Sequence, residues 1–127
     1  MRRYGEIDVC LDTYPFNGIT TTCDGLWMGV PTLTWSGRTS VSRSTKSILV
    51  SGGLGCLAAD TPEEFVRMAT SLVNDPEALR DQRREMRQRL LSTALLDHQR
   101  FARSLEAAYR RMWETWATKA AKVGFEV

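Results

Sequence analysis

The stretch from Ile7 to Trp35 constrains the fold more than any other part of the chain. An apolar run, Ile7, Val9, Cys10 and Leu11, is closed by Asp12, Thr13 and Pro15. That pattern predicts a buried strand ending in a loop. Gly18 and three consecutive threonines then open "TTTCDGLWMG", where Cys23, Leu26 and Trp27 fall at helical spacing. A helix over 20–29 is expected, with Thr20 or Thr21 as its N-cap and Gly29 as its stop. "PTLTW" predicts a second strand over Pro31 to Trp35. Strand, helix and strand packed this closely call for a right-handed crossover and a parallel pair.

The remainder continues the alternation and then becomes helical. A helix is expected from Val41 to Val50, ended by Gly52 and Gly53, and "LGCLAAD" reads as a short third strand or extended connector. Thr61, Pro62 and Glu64 form a capping-box signature, and Phe65, Met68, Ala69, Leu72 and Val73 mark one buried face of the helix that follows. Asp75 and Pro76 restart a helix. After a break at 92–96 comes a long final helix with a stripe of Phe101, Leu105, Ala108, Met112 and Trp116, widened by Tyr109 and Trp113. The expected fold is α/β: a short parallel sheet flanked by helices, with an α/β portion over 1–60 and a helical portion over 61–127. Three strands are few for such a sheet, so the pattern resembles half of a doubly wound domain.

Composition narrows the function classes. The chain has 127 residues, and its 17 basic side chains nearly balance 15 acidic ones, for a net charge of +2. That balance gives no electrostatic case for nucleic acid or an anionic membrane. Asp81 and Glu85 interrupt the arginine run "RDQRREMRQR", which has no interleaved aromatics and reads as a solvated helix face. Cys10, Cys23 and Cys56 lack CxxC spacing or a nearby histidine, so reduced thiols in or near the core are expected and no metal ligand set. No apolar run is long enough for a signal segment or a membrane span, which points to a cytoplasmic protein. The sequence contains no GxSxG, GxGxxG or GK[ST] motif.

"NGITTTCDG" carries the chemistry. Ligands of open parallel sheets bind beyond the strand carboxyl ends, where loops meet helix N-termini. Unpaired N–H groups and a partial positive charge there favour phosphate. Threonine hydroxyls add donors, and Gly18 permits close approach. Asp24, about one turn further in, suits a ribose diol. An N-cap, a turn and an acid complementing the helix dipole would use the same residues, and that reading stays open. Trp27 and Trp35 flank the stretch and are expected in the core. Arg38 and Arg43, in the next strand-to-helix loop, are candidates for diphosphate contact.

The run "IDVCLDTYPFNGITTTCDGLWMGVPTLTWSGRTSVSR" resembles the C-terminal catalytic region of the O-linked N-acetylglucosamine transferase family. That family includes tetratricopeptide-repeat-linked bacterial homologues and Spindly-type O-fucosyltransferases. The resemblance continues through "LGCLAAD" and, more loosely, "YRRMWETW". It implies a partial Rossmann-like C-terminal domain of a GT-B glycosyltransferase. The implied donor-binding residues are Asn17, Gly18, Ile19, Thr20, Thr21, Thr22 and Asp24, with Thr20 and Thr21 on the diphosphate and Asp24 on the ribose. Animal members carry a histidine where this chain has Ile19, so that side-chain contact is absent here.

The implied reaction transfers a sugar, expected to be N-acetylglucosamine from UDP-N-acetylglucosamine, to a Ser or Thr hydroxyl of a protein acceptor, without a metal or other cofactor. The implied partners are an N-terminal Rossmann domain and tetratricopeptide repeats. Family members place the acceptor site and the proposed catalytic residues upstream of the matching segment, so no catalytic residue is expected here, and His98 reads as a surface or capping residue. The alternative is a truncated, non-catalytic Rossmann-type nucleotide-binding or interaction module.

Overall fold

A computed structural model describes residues 2–123. Three short strands, β1 (Cys10–Leu11), β2 (Thr32–Trp35) and β3 (Ala58–Ala59), form a parallel sheet in the order β1-β2-β3. Cys10 pairs with Thr32 and Trp35 with Ala59. Helices α1 (Thr20–Trp27) and α2 (Ser44–Ser51) make the two crossovers, and α3 (Pro62–Asn74) and α4 (Pro76–Leu91) follow. This is the expected short parallel sheet with flanking helices.

Leu26 from α1, Leu33 from β2, Leu49 from α2 and Met86 and Leu90 from α4 meet in one buried cluster with Leu54 and Leu57. Burial of this surface holds the crossovers against the sheet. β1 departs from the expected buried strand: only two residues pair, and Leu11 is 59% exposed. It is an edge strand of the sheet, paired with β2 alone among the described strands.

Local signals set the helix ends. Gly29 follows α1 with φ +76°, and a Cβ there would come 2.8 Å from the Arg83 carbonyl oxygen, so the turn into β2 requires glycine. α2 starts at Ser44 rather than Val41, because 41–43 form a turn whose Ser42 and Arg43 amides donate to Thr39 and Ser40 carbonyls. Thr61 caps α3 by accepting from the Glu64 amide at 3.1 Å. Glu64 returns to the Asp60 amide at 2.9 Å, one residue earlier than in the standard box. Phe65, Met68, Ala69 and Leu72 pack on the core, whereas Val73 is 58% exposed, a correction to the expected face.

The chain divides into two compact units, Met1–Leu96 and Asp97–Val127. The first includes α3 and α4, which the sequence-drawn division at residue 60 had grouped with the C-terminal helix. The second contains α5 (His98–Val123), whose N-terminal turn is capped by Asp97 accepting from the Arg100 amide at 2.9 Å. Within this unit Phe101, Met112, Trp113 and Trp116 are exposed, and the two tryptophan rings lie 5.1 Å apart. Among the described residues, no helix is long and apolar enough to cross a membrane.

Candidate functional site

The loop from β1 to α1 is built around Gly18. Its amide donates to Asp12 Oδ1 at 2.8 Å, and Asp12 Oδ2 accepts from the buried Thr34 hydroxyl at 2.7 Å. Its carbonyl accepts from Thr22 at 2.9 Å and from Thr45 at 2.7 Å, and those two hydroxyls lie 3.2 Å apart. Both polar groups of one peptide position are therefore tied to β1, β2, α1 and α2. A Cβ on Gly18 would stand well inside van der Waals contact of the Thr21 hydroxyl.

The threonines divide accordingly. Thr22 and Thr45 are buried and bonded inward, whereas Thr20 and Thr21 are exposed. Neither Thr20 nor Thr21 is the N-cap, which corrects the sequence expectation. Ile19 holds that position, with φ −109° and ψ −68°, and makes no side-chain cap. The first helical bond runs from the Cys23 amide to the Ile19 carbonyl, so the amides of Thr20, Thr21 and Thr22 precede the helical ladder. The N-terminus of α1 is thus uncapped and edged by two free hydroxyls. Asp24 sits half-buried about one turn on, at the i+3 and i+4 positions that place it on their face.

Asn17 points its chemistry inward as well. It is 1% exposed, its amide group donates to the Thr13 carbonyl at 3.0 Å, and its backbone amide donates to the Val41 carbonyl at 3.0 Å. Asn17 and Thr22 therefore shape the loop and offer no exposed side chain to a ligand. The residues that do face outward are Ile19, Thr20 and Thr21. A cavity of about 180 Å³, lined in part by Asp12, Gly18, Thr21 and Thr32, lies behind them.

Sequence reasoning passed over Asp12, Thr34 and Thr45 as site-building residues. Asp12 carried a signal, as an acid at a strand's carboxyl end six positions before a glycine. Thr45 carried none, because its partner is 27 residues away.

Arg38 and Arg43 are exposed and line a different opening, a groove of about 880 Å³ that includes Ile19 and the outer side of α2. The structure does not bring them into the cavity shared by Gly18 and Thr21. Trp27 is half-buried beneath the Arg87 guanidinium, 4.2 Å from its ring centre, and Trp35 stacks on Tyr14 at 4.0 Å. Burial pushes the thiol of Cys10 above its ordinary value, partly offset by the Thr32 hydroxyl and the Arg83 charge. Burial and then the Asp24 carboxylate push Cys23 up, against its own backbone hydrogen bond. Cys56 is exposed, which corrects its expected near-core position.

Three comparisons with known proteins bear on this geometry. The profile of glycosyl transferase family 41 matches residues 1–105. A Hordeum vulgare protein described as a probable UDP-N-acetylglucosamine–peptide N-acetylglucosaminyltransferase SPINDLY is 40% identical over 116 residues. That match takes in 91% of this chain but 12% of the barley protein. A Caenorhabditis elegans UDP-N-acetylglucosamine–peptide N-acetylglucosaminyltransferase is 34% identical over 91% of this chain and 10% of its own length. The solved structure of a Thermobaculum terrenum O-GlcNAc transferase mutant superposes with a TM-score of 0.85 at 40% identity, covering 94% of this chain and 23% of that one. The chain therefore spans about one-eighth of the curated relatives it matches.

Proposed function

Since the chain belongs to glycosyl transferase family 41, we propose that it forms the donor-binding part of an O-GlcNAc-transferase-like enzyme. The uncapped N-terminus of α1 receives the donor's diphosphate, with the Thr20 and Thr21 amides and hydroxyls as donors and Asp24 accepting from the ribose hydroxyls. The observation that carries this reading is the division of labour around Gly18. The buried threonines and Asp12 lock the loop, leaving the first-turn amides and two exposed hydroxyls free at the carboxyl end of the sheet.

In the proposed reaction the bond from the sugar's anomeric carbon to the diphosphate breaks as a Ser or Thr hydroxyl of a protein acceptor attacks. The electron pair of that bond leaves with the diphosphate, and these preorganised donors stabilise the negative charge without a metal ion. Removing one donor of this kind costs about 2.7–4 kcal/mol in transition-state stabilisation. N-acetylglucosamine from UDP-N-acetylglucosamine is the donor we favour, from the names of the relatives. The general base and the site of the acceptor's reacting hydroxyl are assigned to chain outside this segment, in an N-terminal Rossmann domain with tetratricopeptide repeats.

The test is Thr21→Val in the complete enzyme. It should lower kcat/KM by two orders of magnitude or so while leaving the melting temperature nearly unchanged. Unchanged turnover would remove Thr21 from the site. Calorimetry with UDP on this chain, paired with a donor hydrolysis assay, separates the transferase reading from a nucleotide-binding module that turns nothing over.

A further inference from the structure

The groove beside α2 has a composition that the diphosphate site does not use. Arg38, Arg43 and Lys46 line it, and no carboxylate does. Lys46 is neutralised by its ion pair with Asp60. Among the described residues, the remaining ion pairs are Arg67–Glu64, Arg83–Asp8 and Arg84–Asp81, so Arg38 and Arg43 carry uncompensated charge.

Their backbone is also fixed. The Gly37 amide donates to the Ser42 carbonyl at 2.9 Å, the Thr39 amide to Ser42 Oγ at 3.2 Å, and the Arg43 amide to the Ser40 carbonyl at 3.2 Å. Ser42, at the centre of this turn, is 1% exposed. Two guanidinium groups are thus mounted on a braced turn that lines the groove, where each can take a carboxylate in a forked pair of hydrogen bonds.

The groove is also lined by Ser47, Ser51, Ile48 and Val50 of α2. Hydroxyls able to bond peptide groups thus stand beside aliphatic surface. The eight residues of α2 span about 12 Å, the length of about four residues of extended polypeptide. No aromatic side chain lines the groove for base stacking. The net charge of +2 is also too small for a nucleic-acid surface.

We propose that this groove binds an acidic, extended segment of the polypeptide acceptor, with Arg38 and Arg43 pairing its carboxylates. The inference rests on the donor reading above: Ile19 lies both in the groove lining and at the α1 N-terminus, so the groove adjoins the proposed donor site.

The experiment measures fluorescence anisotropy of a labelled decapeptide of alternating Glu and Ser, and of its Gln and Ser counterpart, with this chain. The acidic peptide binds in preference, and added salt removes the preference. Arg38→Gln with Arg43→Gln weakens the acidic peptide roughly ten-fold and leaves UDP affinity unchanged in calorimetry. The double charge reversal, Arg38→Glu with Arg43→Glu, transfers the preference to a Lys and Ser peptide, a gain that misfolding cannot produce. Equal binding of acidic and neutral peptides overturns the proposal. Loss of UDP affinity in the Gln pair with peptide preference intact also overturns it and returns the arginines to the diphosphate. Failure of the unmodified chain to bind UDP strikes the donor reading and leaves the peptide preference as a separate readout.

Discussion

Asp12 and Gly18 are joined by a 2.8 Å hydrogen bond, the glycine amide donating to a carboxylate whose other oxygen holds Thr34. The residue that closes β1 thereby fixes the backbone that opens α1. Asp12→Ala leaves the Gly18 amide and the buried Thr34 hydroxyl without this partner and should cost about 2–4 kcal/mol in urea unfolding. Asp12→Asn keeps an acceptor for Gly18 and a donor for the Thr34 oxygen, so it should stay within about 1 kcal/mol of the parent. Equal loss in both variants would mean that charge, rather than hydrogen-bond geometry, is what Asp12 supplies.

Thr45 ties α2 to the same peptide from the carbonyl side. Thr45→Val preserves shape and removes the donor. Because Thr22 still donates to that carbonyl, the expected cost is about 1 kcal/mol, with Thr45→Ser nearly silent. A silent Thr45→Val in denaturant titration would show that α2 holds its place by apolar packing alone.

Gly18→Ala tests the close approach. Its Cβ meets the Thr21 hydroxyl, the far end of a short side chain that can rotate. It also comes 3.3 Å from the buried, hydrogen-bonded Thr22 hydroxyl, so stability should fall by about 1–2 kcal/mol. UDP affinity should fall roughly ten-fold, because the displaced hydroxyl is one of the proposed donors. Calorimetry and thermal melting together separate the two effects.

The cysteines give a prediction independent of ligand. Cys10 and Cys23 have thiols pushed up by burial, so little of either is thiolate at neutral pH, and their alkylation should accelerate only as pH rises past the usual thiol range. Exposed Cys56 should react with a maleimide first at pH 7, as read by mass spectrometry of timed digests. Labelling of Cys10 ahead of Cys56 would contradict the half-buried position of the Cys10 thiol.

Local chemistry made much of this legible in advance. Gly29 and the Thr61 capping signature act within a few residues, so their helix boundaries follow from sequence. The threonine run was also readable, but its partition was not. Thr22 turns inward because Thr45, 23 residues away, shares the Gly18 carbonyl with it. The edge position of β1 likewise depends on strand order, which is set by pairing with β2, far along the chain. Arg38 and Arg43 were visible as basic loop residues, whereas their separation from the Thr21 cavity arises from the turn that Ser42 organises.

The most direct measurement is amide chemical-shift mapping of the isotopically labelled chain against UDP and against uridine, with EDTA present throughout. The account predicts that UDP shifts the amides of Thr20, Thr21 and Thr22 more than uridine does, and that Thr20→Val with Thr21→Val abolishes the difference. Equal responses to UDP and uridine at the α1 N-terminus, or a UDP response that EDTA removes, would contradict it.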